Sequence, residues 1–169
     1  QLTMRTFHIV GTASAEKSDR YIKVKHPTYI SKTPTKIVKT EDGKRIVSRR
    51  EELVVQNVFH IWEKGELDSV VAELNKKNQP GAVIGKIKNK NVTVNKLSFL
   101  KEIDGKLVLI GEKKYHRLKI GTQLFCEDGE LVVPTKEEGE RILVEFDPFN
   151  ETIVTEHAGI VKFKDIIPG

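Results

Sequence analysis

The residues best suited to chemistry stand at the start of the chain. Arg5 and His8 are three apart, and Met4 and Gln1 lie close by. On a helix, Arg5 and His8 would share a face. Such a face offers a permanent cation, an imidazole that can give or take a proton, a soft thioether and an amide. That set suits a nucleoside triphosphate, with cation to phosphate, thioether to base and amide to ribose. The competing reading is an ordinary mixed helix face. The local pattern also argues against a helix: Arg5 to Val10 alternates like a strand, and Thr3, Thr6 and Thr12 are poor helix formers. A strand or a frayed end fits these residues by pattern alone.

Elsewhere a self-contained active site is hard to find. The sequence holds no Gly-x-Gly-x-x-Gly, no Walker-type loop, no Gly-x-Ser-x-Gly and no His-Glu-x-x-His. None of the five histidines (His8, His26, His60, His116 and His157) has another His or Cys at metal-ligand spacing, so no metal site is expected. The single cysteine, Cys126, rules out an internal disulfide framework and reads as a structural thiol. The acidic pairs Glu127-Asp128 and Glu137-Glu138 fall at turns, where adjacent carboxylates are usually solvated. Phe59 and Trp62, near Lys64, could stack on single-stranded nucleic acid. With only 7% aromatic residues and no wider array, core packing is the better reading.

Charge is distributed unevenly. The net charge is +5, yet from Lys17 to Arg50 eleven Lys or Arg face only Asp19, Glu41 and Asp42. From Gly121 to His157 ten acids face only Lys136 and Arg141. A basic stretch can contact phosphates or an acidic protein surface, and Lys23, Lys25, Lys44 and Arg45 are its candidate contacts. The plainer alternative is a solvated strand face. The Lys and Glu content also fits surface ion pairing of the heat-stable kind. No stretch is long and apolar enough to span a membrane as a helix, and no secretory signal is visible. The start at Gln1 and the end at Pro168-Gly169 suggest a piece of a longer chain.

The elements that must carry these groups are mostly strands. Tyr21 to Lys25 alternates apolar and polar residues. Asp-Gly turns are expected three times. They join Lys36–Thr40 to Lys44–Ser48, Leu97–Ile103 to Lys106–Ile110, and Gln123–Cys126 to Glu130–Val133. Asn89-Lys90-Asn91 should turn a fourth hairpin, from Ala82–Lys88 to Val92–Val94. Arg141–Phe146, Thr152–Thr155 and Gly159–Asp165 read as further strands. One helix is expected, Glu66 to Lys76, with Leu67, Val70, Val71 and Leu74 at helical spacing and Asn78-Gln79-Pro80-Gly81 as the stop.

The opening string Gln1-Leu2-Thr3-Met4-Arg5-Thr6-Phe7-His8 resembles the first arm of the trigger loop of bacterial RNA polymerase β′ subunits. Ile9 to Ser14 resembles its continuation toward the tip. The match is distinctive but covers under a tenth of the chain. The remainder resembles the large insertion that some lineages carry inside that loop. Lys36 to Val55 looks like its opening part. Tyr115 to Gly169 looks like its later part, through the Gly-x-x-Leu, Asp-Gly and Asp-Pro rhythm of Leu118–Gly129 and Val144–Pro148 and a closing strand over Glu156–Ile167. Phe59 to Lys113 has no counterpart. The returning arm and a second complete barrel, which many such insertions carry, are not seen.

The resemblance implies a mainly β fold with a minor helical part: a sandwich-barrel hybrid motif with an extra inserted α+β subdomain. Its implied divisions are 1–14 (arm), 15–58 with 114–169 (the motif) and 59–113 (the extra subdomain). In such enzymes the trigger loop folds over the incoming nucleotide, and magnesium ions bound elsewhere carry phosphoryl transfer. Carried over, Met4 would pack on the base, Gln1 would approach the ribose and Arg5 would contact phosphates. His8 would sit by the β-phosphate as positional catalyst or proton donor. Arg5 and His8 are thus the implied catalytic residues, and Gln1 and Met4 the substrate-binding ones.

No cofactor is expected in this segment, against magnesium and zinc in a full subunit. The implied setting is the cytoplasm. The implied partners are the β, α, ω and sigma subunits, template DNA, transcript RNA and nucleoside triphosphates, with no membrane. Bulk attached to the moving loop would modulate elongation, pausing or cleavage.

Two other classes compete. One is a stand-alone nucleic-acid-binding β-barrel, favoured by the charge asymmetry. The other is a swinging-arm carrier domain. Lys136 lacks the Met-Lys-Met or Asp-Lys-Ala setting such a carrier needs.

Overall fold

A computed structural model describes residues 15–147 and, as backbone alone, 4–6. The strands expected at Thr152–Thr155 and Gly159–Asp165 lie outside the described residues. In chain order the strands are β1 (Met4–Thr6), β2 (Glu16–Lys17), β3 (Tyr21–Val24), β4 (Thr28–Lys32), β5 (Ile37–Lys39) and β6 (Arg45–Val47). Then come the long β7 (Glu51–Trp62), β8 (Ser69–Val70), β9 (Lys77–Asn78), β10 (Val83–Ile87), β11 (Lys90–Thr93) and β12 (Ser98–Ile103). The last are the long β13 (Lys106–Leu118), β14 (Gln123–Leu124), β15 (Leu131–Val132) and β16 (Arg141–Glu145). The expected mainly β class holds, and the described residues contain no helix.

Three sheets form, and none closes into a barrel among the described residues. The central one runs β15-β4-β7-β13-β12-β9. Its spine is the antiparallel ribbon of β7 and β13, which runs from Trp62 opposite Leu107 to Glu51 opposite Leu118 with shifts of register on either side of Ile110. A second six-stranded sheet runs β2-β3-β16-β14-β6-β5, and a four-stranded one runs β1-β11-β10-β8.

Alternation along the ribbon explains how one sheet serves three apolar clusters. Leu53, Val55 and Leu118 join Ile22, Val47, Leu143 and Val144 of the second sheet in a large aliphatic core. Farther along the ribbon, Trp62 and Leu109 meet Leu100 of β12 with Ile84 and Val92 of the four-stranded sheet. The intervening residues point the other way. Val58, Val108, Ile110 and Ile103 form a third cluster there, edged by half-buried Tyr29, Phe99, Ile61 and Leu131.

Two Asp-Gly hairpins form where expected. β5 pairs β6 around Glu41-Asp42-Gly43. β12 pairs β13 around Asp104-Gly105, both at positive φ (51° and 78°), as a primed hairpin turn requires.

The other two turns need correction. The β10–β11 turn is Lys88-Asn89, with φ of 51° and 64°, because Lys90 is needed in the ladder opposite Ile87. Asp128-Gly129 turns the chain but does not join a hairpin. β14 pairs β16 and β6, while β15 pairs β4. The turn itself docks on β4: Asp128 Oδ1 accepts the Thr33 amide at 3.0 Å, and the Gly129 amide donates to the Ile30 carbonyl at 2.8 Å.

The helix expected over Glu66–Lys76 is absent. Ser69–Val70 pairs β10 instead. The amides of Val71 and Ala72 donate to the Ile84 carbonyl, and Leu74 bridges Leu100. Only Leu67 of the supposed apolar face is buried; Val71 is 60% exposed. An eleven-residue helix is marginal on its own, and β-branched valines weaken it further. The open edges of β10 and β12 offer these amides stronger partners.

Candidate functional site

The opening segment joins the four-stranded sheet. β1 lies parallel to β11, with Met4 opposite Asn91, Arg5 opposite Val92 and Thr6 opposite Thr93. Met4–Thr6 is therefore extended, as its alternation suggested. Gln1 and His8, and the side chains of Met4 and Arg5, lie outside the described residues.

The basic stretch and the acidic stretch meet in space. β3 of the first pairs β16 of the second, and β6 pairs β14. Lys23 Nζ consequently sits 3.3 Å from Glu140, Arg45 3.4 Å from Glu127 and Arg20 3.1 Å from Glu145. Arg45 also donates to the Cys126 carbonyl at 3.1 Å. Lys25 pairs with Glu16 at 3.6 Å and Lys44 with Asp42 at 3.9 Å. Each of the four cations singled out by sequence thus has a carboxylate within the chain. Pairs this exposed contribute little to stability, in the range of about 0–1 kcal/mol.

Several groups read as packing residues sit in the core. Trp62 is fully buried, its ring edge-on to His60 at 4.7 Å between centroids. Phe59 packs beside it and leans on Gly111, where a Cβ would stand 2.7 Å from the ring. Trp62 has no exposed surface to stack on a nucleic acid base, and half-buried Phe59 carries Lys96 Nζ 5.8 Å over its ring. Cys126 is fully buried, and burial pushes its thiol up to about 12, far from a reactive thiolate. Burial holds His60 and His116 below the ordinary histidine value; for His116 the nearby Lys17 adds to the effect. Among the described residues no three His, Cys, Asp or Glu side chains are placed to hold a metal ion, and no helix is long and apolar enough to cross a membrane.

The sequence reading missed one surface. On the face of the central sheet away from the two larger cores, strand register lines up Tyr29, Gln56 and Lys113 in one row. Lys32, Val54 and Tyr115 form the next row, and Glu52 opposite Arg117 the one after. Phe99 extends the face onto β12. Two contiguous hollows of about 630 and 800 Å³ run along it, sharing Ser31, Lys113 and Tyr115. The signal available in sequence was the alternation Lys113-x-Tyr115-x-Arg117, which places three functional side chains on one side of a strand.

Comparison with known proteins bears on the whole length. A DNA-directed RNA polymerase subunit beta' from Borrelia hermsii is 36% identical over 175 residues, covering 100% of this chain. One from Treponema pallidum is 31% identical over 170 residues, again covering 100% of it. One from Leptospira biflexa is 29% identical and covers 98%. The chain is homologous to a segment of the RNA polymerase β′ subunit. It spans about 12% of the length of these β′ relatives. The likeness to β′ therefore extends well past the opening string, through 59–113 as well. No family model and no solved structure matches the chain.

Proposed function

We propose that this β′ segment carries one arm of a trigger loop together with an insertion that governs the arm's movement. The complete enzyme would be a DNA-directed RNA polymerase, a cytoplasmic nucleotidyltransferase assembled with β, α, ω and sigma subunits. It would build RNA from nucleoside triphosphates on template DNA. In this reading residues 1–14 are the arm, 15–58 with 114–169 a sandwich-barrel hybrid motif, and 59–113 an added subdomain. Arg5 and His8 act at the nucleotide phosphates, Met4 on the base and Gln1 at the ribose. Magnesium and zinc would be held by other parts of the subunit.

The observation that carries the proposal is the β1–β11 pairing. Residues held in a strand cannot at the same moment be helical. A sheet that belongs to the insertion thus offers the arm an extended alternative to a closed helix. Nucleotide binding, which favours the closed form, would draw the arm off β11. The insertion would then set the balance by how well β11 holds it. Lys23, Lys25, Lys44 and Arg45 stay as candidate contacts with nucleic acid or an acidic subunit surface. Each would exchange an internal carboxylate for an external phosphate or carboxylate.

The test is a reversible lock. Thr6 and Thr93 are register partners, and Cys126 is buried and will not compete for oxidation. In the whole polymerase, Thr6→Cys with Thr93→Cys should slow nucleotide addition on oxidation and recover on reduction. Full-speed elongation with the cross-link confirmed by mass would overturn the proposal.

A further inference from the structure

The geometry points to a second, separate site: the Tyr29–Lys113–Tyr115 face of the central sheet binds single-stranded nucleic acid by base stacking over a cationic floor. This does not depend on the arm and its strand pairing, and it uses none of Lys23, Lys25, Lys44 and Arg45.

The aromatic groups come first. Tyr115 is 59% exposed, on the stretch of β13 that runs past the residues paired with β12 and has β7 as its one strand neighbour among the described residues. Phe99 and Tyr29 are half-buried and line the neighbouring hollow. Lys101 Nζ stands 5.7 Å over the Tyr29 ring and donates to Asn75 Oδ1 at 3.3 Å, which fixes both partners in place. The Gln56 amide beneath them is satisfied by the Gly111 carbonyl at 2.7 Å, so the floor makes no internal demand on a ligand. An aromatic face accepts any base that is out of its duplex.

The charges come second. Lys113, Tyr115 and Arg117 alternate along β13, so cation and ring repeat on one face at roughly 7 Å intervals. Lys32, Lys77, Lys113 and Arg117 make no ion pair among the described residues, unlike Lys23, Lys25, Lys44 and Arg45. The acids here are partly engaged: Glu51 accepts the Thr35 and Lys36 amides at 3.0 and 2.9 Å, and Asp128 accepts that of Thr33. Glu52 and Glu112 also line the hollows, where a carboxylate can accept from an exocyclic base amine. Unpaired cations interleaved with open rings fit a backbone of phosphates with splayed bases. An acidic peptide would use the cations and leave the rings idle, and a duplex would hide its base faces.

Fluorescence anisotropy on the 169-residue chain tests this, with labelled oligo(dT) and oligo(rU) of about a dozen nucleotides as probes. Binding should be salt-sensitive and stronger than to a duplex of the same length or to a polyglutamate peptide. Tyr115→Ala should weaken it about tenfold. Lys113→Gln with Arg117→Gln should lower the slope of log affinity against log salt by about 0.7 per lost phosphate contact. Lys39→Gln with Lys136→Gln makes the same change in net charge away from the face and should leave binding unchanged. All of these side chains are exposed, and matched thermal unfolding curves would confirm intact folds. Three results would overturn the inference: no salt-sensitive binding, equal or tighter binding of duplex or polyglutamate, or groove variants that behave like the distant pair.

Discussion

The two ends of the β7–β13 ribbon are built by different means. At the Glu51–Leu118 end, two six-stranded sheets share a core of Ile, Val and Leu that also buries Cys126 and Phe146. Many interchangeable side chains divide the burial there. At the Trp62–Leu107 end, a short four-stranded sheet and irregular loops gather around one indole. There Gly85 lets β8 approach so closely that a Cβ would overlap the Ser69 carbonyl oxygen. The lesson is that a distributed core tolerates local loss, while a core organised on one ring and one close backbone contact does not.

Trp62→Ala should therefore have the largest effect, about 3–5 kcal/mol by denaturant unfolding. Hydrogen exchange should show the loss of protection concentrated in β10–β12 rather than β3 and β16. Equal loss at both ends would mean that the ribbon unfolds as one unit and would break the comparison. Gly85→Ala should come next, at about 1–3 kcal/mol, by forcing β8 away from β10. Leu53→Ala, the matching cut in the aliphatic core, would sharpen the contrast if the protection it removes lies at the other end.

Each end also holds a half-buried histidine. The His116 Nε2 is buried without a hydrogen-bond partner among the described residues. Its folded-state value is depressed by burial and then by Lys17. The unfolded chain takes up a proton near the ordinary histidine value and the folded chain resists it. Stability should thus be unaffected above that value and fall as pH drops below it. His116→Gln should flatten that fall, and a melting-temperature series across mildly acidic pH checks it. The smallest effect belongs to the exposed ion pairs. Lys23→Gln or Arg45→Gln should cost under about 1 kcal/mol.

Much of the fold was legible, and the failures have identifiable causes. Glu41-Asp42-Gly43 and Asp104-Gly105 announced their hairpins because each tight turn needs positive φ, at Gly43 in the first and at both Asp104 and Gly105 in the second, over a short sequence separation. Asp128-Gly129 announced only a turn. The pairing of its flanks was decided by β4, β6 and β16, strands far away in sequence. Val70, Val71 and Leu74 imitated a helix because a four-residue spacing carries no information about open sheet edges nearby. The basic and acidic stretches are neighbours in one sheet, where Arg20, Lys23 and Arg45 pair with Glu145, Glu140 and Glu127, a closeness that separation in sequence conceals. The Met-Arg-Thr-Phe-His string spoke to the homology that the relatives bear out over the whole chain. It did not reveal that β1 would lie beside β11. The open face at Tyr115 was hidden for a similar reason, since its parts come from β4, β7, β12 and β13.

The register of the ribbon has a consequence for how such a chain can change over generations. Trp62 and Leu107 are paired, so the path that leaves the spine at one residue returns at the other's side. Everything between them begins and ends at nearly the same point. Residues can be added or removed in that excursion without shifting a single pairing below it. The aliphatic half is thereby shielded from variation in length above it. The upper half is free to diversify, provided that each version supplies its own cover for the indole.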